Sequence, residues 1–64
     1  MHSTETENVM GLVDFVIKSQ GYVDIHFICR HLGIPAIIVE NIFKNEGMTE
    51  SGIPGQYIKS KKVI

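Results

Sequence analysis

The chain has no tryptophan, one cysteine and two prolines, and its charges nearly cancel: seven Asp and Glu against six Lys and Arg, a formal net charge of −1. Each scarcity narrows the field. A lone cysteine, Cys29, has no internal disulfide partner, and no Cys/His spacing resembles a metal site, so no metal is expected and a reducing compartment suits the chain. Apolar runs are only a few residues long, which is too short for a membrane span. The polar, acidic opening "MHSTETENVM" lacks the basic and apolar segments of a secretory leader. A cytoplasmic location without membrane attachment is the expectation. There is no Gly-rich phosphate loop, no paired carboxylates and no Ser/His/Asp or Cys/His set placed by motif, so neither an enzyme nor a cofactor is expected.

What is present describes a single globular domain over 1–64. The residues are 44% hydrophobic and 20% charged. No polar tract is long enough to indicate disorder. The chain has 64 residues. A domain of that size buries only roughly 60% of the surface its unfolded chain exposes, so its stability is thin. Sharing apolar surface in a dimer would offset that. Charge is uneven along the chain. Residues 1–32 carry four acids and two bases, whereas residues 33–64 carry three acids and four lysines, three of them in "KSKK". Phosphate contact, if made, is concentrated toward the C-terminal side.

Hydrophobic periodicity marks three helices. In the first, about 5–20, Thr4 and Glu7 form a capping-box pattern. Val9, Leu12, Val13 and Val16 recur at helical spacing, with Met10, Phe15 and Ile17 widening the stripe. Gly11 inside this helix suggests close approach of a neighbouring backbone, and Gly21 ends it. "GYVD" reads as a two- or three-residue strand whose Asp24 caps the next helix. That helix, about 25–32, places Ile25, Ile28, Cys29 and Leu32 on one face, with Cys29 as a packing residue. His26 and His31, five apart, do not share a face at ligand spacing and are expected to be solvated. Gly33 breaks the helix, Ile34 is a buried pivot, and Pro35 opens a third helix, about 35–46, whose buried stripe is Val39, Ile42 and Phe43. The remainder favours a hairpin over about 48–62, with strands Met48 to Glu50 and Gln56 to Lys61 around the turn chemistry of "GIPG". Tyr57 is expected beneath that hairpin or against the first helix. The fold class is therefore α+β and mainly helical: a three-helix helix-turn-helix core with a C-terminal β-hairpin, a winged helix.

A helix-turn-helix needs a small residue where its helices cross, a residue that tolerates positive φ at the turn, and apolar anchors on both sides. Cys29, Gly33 and the set Ile28, Leu32, Ile34, Val39 and Ile42 fill those roles. On these residues "YVDIHFICRHLGIPAIIVENIFKNEGM" resembles the helix-turn-helix of bacterial and phage transcription regulators, including small winged-helix proteins. "LGIPAIIVENIFK" with "PGQYIKSKK" is also similar to one unit of AraC-type activators, although the spacer "NEGMTESGI" is longer and a second unit is lacking. The resemblance spans roughly residues 9 to 62.

It implies a transcriptional regulator that binds double-stranded DNA, as a homodimer or with a larger protein partner. Positions presented outward by the third helix are Pro35, Ala36, Ile37, Glu40, Asn41 and Lys44, with Gln56, Lys59, Lys61 and Lys62 on or beside the wing. The alternative is a winged-helix interaction module that uses Phe27, Ile37 and Ile38 as an apolar protein interface, without DNA. Ile37 and Ile38 flank the core stripe, and one of them is expected to be exposed.

Overall fold

The computed structural model describes residues 4–59. The elements run α1 (Thr4–Gln20), β1 (Val23–Asp24), α2 (Ile25–Leu32), α3 (Ala36–Asn45), β2 (Met48–Glu50) and β3 (Gln56–Lys59). All three expected helices form, and the first hairpin strand has the expected bounds. The second is seen to Lys59, so the expectation for its last two residues falls outside the described segment. The two-residue strand at "GYVD" joins the hairpin in an antiparallel sheet of order β1-β3-β2. Val23 pairs with Tyr57, and Glu50 lies across from the same Tyr57 on the other side. The strand entered last in sequence is thus the central one. Three helices with a strand after the first and a hairpin after the third make a winged-helix arrangement.

One apolar cluster holds these elements together: Val9 and Val13 from α1, Val23 from β1, Ile25 and Ile28 from α2, Val39, Ile42 and Phe43 from α3, and Met48 from β2. Among the described residues, none that is polar or charged is buried with them. Phe43 is fully buried, and Tyr57 meets it edge-on with ring centroids 4.9 Å apart. Aromatic pairs favour this geometry, because the positive ring edge faces the negative ring face. Tyr57 thus lies beneath the hairpin and ties it to α3.

The helix-turn-helix follows from local signals. Asp24 is extended, and its carboxylate accepts the His26 amide at 2.8 Å, capping α2. Gly33 closes α2 at φ 67°, ψ 36°. A Cβ disfavours that left-handed conformation. Cys29 O accepts the amides of Gly33 and Ile34, the latter at 3.1 Å. The chain direction then turns by 119° into α3. Crosswise helices after a short glycine-bearing turn define the motif.

Details differ from the sequence reading at Pro35, Phe15, Gly11 and Ile34. Pro35 precedes α3 as its cap instead of forming its first turn: at ψ 145° it is still extended, while its carbonyl accepts the Ile38 and Val39 amides at 3.1 and 3.2 Å. Phe15 does not widen the buried stripe of α1. Two residues past Val13, it lies about 200° around the helix from that core position. Its side chain is accordingly 68% exposed. Among the described residues nothing approaches Gly11, where an added Cβ would meet no atom within 4 Å. Ile34 is half-buried against the core, not fully enclosed.

Candidate functional site

Burial of Val39, Ile42 and Phe43 fixes the rotation of α3 and therefore what its other side presents. Pro35, Ala36, Ile37, Glu40, Asn41 and Lys44 are all exposed. From Ala36 to Lys44 these positions recur at four-residue intervals, which aligns them along one face. Ile38 sits at the edge of that face. Ile37 is 62% exposed and Ile38 36%, so both isoleucines reach solvent where one was expected to.

The chemistry of this face is mixed. Asn41 offers a carboxamide, which donates and accepts; Glu40 only accepts, and Lys44 only donates. Ala36 and Ile37 add methyl groups. Lys44 also stands in the last turn, where a cation complements the helix dipole. Such a face can hydrogen-bond to groups of either polarity and cover apolar surface, but it carries no concentrated positive field.

The wing residues divide. Lys59, at the end of β3, is cross-strand from Met48, and its ammonium forms an ion pair with the Asp14 carboxylate on α1. Both side chains are about half-exposed, so the pair is open to competition from another anion. Gln56 is half-buried at the start of β3, where its amide donates to Ile53 O at 3.0 Å and its carbonyl accepts the Ser51 amide at 2.9 Å. Both are main-chain bonds, so they close the turn of the wing without engaging the Gln56 carboxamide. Lys61 and Lys62 lie outside the described residues. The structure thus brings Pro35, Ala36, Ile37, Glu40, Asn41 and Lys44 together and leaves Lys59 engaged with α1.

On α2, Phe27 is 41% exposed and its ring lies 5.5 Å from that of His31, one helical turn on. His26 and His31 are both exposed. Cys29 is half-buried; desolvation raises its thiol pKa, and the carboxylates of Glu40 and Asp24 push it the same way against the lowering effect of a backbone hydrogen bond. Its thiolate is disfavoured, in keeping with a packing residue.

Two features escape sequence reasoning. The Asp14–Lys59 pair joins residues from opposite ends of the chain and leaves no local pattern. The exposure of Phe15 was available from its angular offset on α1, a signal that hydrophobicity alone overrides.

These elements define a protein of winged helix-turn-helix architecture with an outward third helix. Comparison with protein families, curated proteins and solved structures finds no match to this chain. Among the described residues, no single helix is long and apolar enough to cross a membrane.

Proposed function

We propose that this protein is a sequence-specific DNA-binding transcriptional regulator, cytoplasmic and non-catalytic, that lays α3 in the major groove with the hairpin beside the phosphate backbone. The observation that carries this reading is the exposed row Ala36, Ile37, Glu40, Asn41 and Lys44 on a helix set crosswise to α2 by the turn at Gly33. Asn41 suits a bidentate contact to adenine, Glu40 accepts from cytosine N4, and Ala36 or Ile37 touches a thymine methyl. Lys44 meets a phosphate, and Pro35 brings the helix start close to the groove. Gln56, Lys59, Lys61 and Lys62 supply the contacts of the wing to the phosphate backbone or minor groove, Lys59 by exchanging Asp14 for a phosphate.

At a net charge of −1, one copy gains little from counterion release, so operator affinity requires a homodimer or a larger protein partner. Selection from randomised duplexes tests the reading. Wild type should enrich one motif, and Asn41→Ala should lose preference at one base pair, a change of ~1–3 kcal/mol there, while retaining the others. Enrichment no different from a protein-free control refutes it.

A second reading is favoured by the apolar exposure of Ile37, Ile38 and Phe27. Exposed apolar groups mark association surfaces, and on this reading the module binds protein through them without touching DNA. Ile37→Asp then abolishes association and leaves the fold intact. Unchanged sedimentation of the variant contradicts it.

A further inference from the structure

A cavity of about 360 Å³ opens between α1, β1, α2 and the start of β3, and no residue of α3 lines it. Three aromatic side chains border it: Phe15 of α1, Tyr22 just before β1, and Phe27 of α2. All three are exposed. No two of these rings touch each other, and the ring that Phe27 does meet, His31, does not line the cavity. The three rings therefore border the space without stacking on one another.

Among the described residues lining this space, Asp24 carries the only formal charge, while the Tyr22 hydroxyl and the Gln56 carboxamide both donate and accept. The Ser19 hydroxyl donates to Phe15 O at 3.1 Å and the Gln20 carboxamide to Tyr22 O at 3.0 Å, so both are turned toward backbone. Asp24 uses Oδ1 to cap α2, and a carboxylate retains acceptor capacity and a negative charge beyond one such bond. Among the described residues, no lysine, arginine or histidine lines the cavity. Aromatic faces are negative at their centres and attract cations. A primary ammonium needs three acceptors for its N–H groups. A quaternary ammonium has no N–H, and needs only ring faces and a nearby diffuse negative charge.

We infer that this cavity binds a quaternary ammonium group, the trimethylammonium end of a choline-like small molecule or of a trimethylated lysine side chain. It does so between Phe15, Tyr22 and Phe27, with Asp24 supplying the counter-charge. The site shares Gln56 with the wing and Phe27 with the apolar surface of the second reading, but no residue of α3 lines it.

The test titrates the isotope-labelled full chain with three probes: choline chloride, its uncharged tert-butyl isostere, and a short peptide carrying trimethyl-lysine. Saturable shifts of the Phe15, Tyr22 and Phe27 ring resonances are expected with choline or with the peptide, and the arm that binds identifies the source of the cation. Phe27→Leu and Asp24→Asn should each weaken that binding by roughly fivefold or more. Asparagine caps helices as well as aspartate does, so Asp24→Asn removes the charge while keeping α2 intact. Amide spectra of both variants confirm that they fold. Equal binding of the uncharged isostere, affinity unchanged in both variants, or no shift with either cation at millimolar concentration overturns the inference.

Discussion

Two glycine-to-alanine substitutions, identical in chemistry, should change stability in opposite directions. At Gly33 an added Cβ meets none of the described residues within 4 Å, so no steric clash contributes, and the cost is the backbone conformation alone. The backbone there has φ at 67°. An L-residue held in that left-handed region costs roughly 1–2 kcal/mol. Gly11 lies in the interior of α1, exposed and likewise with nothing within 4 Å. Alanine at that site gains up to about 1 kcal/mol in helix propensity. The two variants should therefore differ by about 2–3 kcal/mol. Each kcal/mol moves the Tm of so small a domain by roughly 4–8 °C, so the separation is readily measured. Urea unfolding followed by far-ultraviolet circular dichroism gives the free energies, with equal slopes for all variants. Gly33→Asn should recover part of the loss, since asparagine tolerates left-handed backbone better than alanine. A Gly33→Ala protein as stable as wild type would refute the turn geometry, and a destabilised Gly11→Ala would refute the open environment assigned to α1.

Burial, followed by the nearby carboxylates of Glu50 and Glu40, raises the Tyr57 phenol above its ordinary 10.0. The folded state therefore holds this proton more tightly than the unfolded chain does. That contribution to stability is fully present below about pH 10 and is lost as pH rises through the folded-state value. In Tyr22→Phe, Tyr57 is the remaining tyrosine. An ultraviolet titration midpoint at or below the ordinary 10.0 would contradict its placement against Phe43. Asp14→Asn removes a half-exposed ion pair and should cost less than ~1 kcal/mol in stability. The same change releases the Lys59 ammonium and should tighten duplex binding at low salt; weaker or unaltered binding would show that Lys59 makes no phosphate contact.

Local signals made much of this architecture legible. A 3.6-residue repeat identified Val39, Ile42 and Phe43, and the structure buries those three residues of α3. Asp24 and Gly33 could be recognised as caps because each acts within a few residues of itself. Since the buried stripe of a helix determines its opposite face, the outward row of α3 was legible as well. What depended on distant pairing was not. Nothing in "GYVD" or "QYIK" states that Val23 will lie beside Tyr57, so the central place of β3 emerges only on folding. The Asp14–Lys59 pair shares that origin, whereas the aromatic cavity is built mostly from residues 15–27 and takes only Gln56 from the far end of the chain. Pro35 was displaced by one position because its fixed φ suits both a helix start and the extended residue before it.

The proposed role of α3, set outward by the turn at Gly33, is to read DNA. Its most direct test is a titration of the isotope-labelled chain with a pool of varied duplexes at low salt, followed by amide resonances. Shifts are expected to concentrate at residues 35–45 and in the hairpin, and to diminish as salt is raised. Amide resonances that stay unmoved across the whole chain, or that move only along α1, would contradict that role.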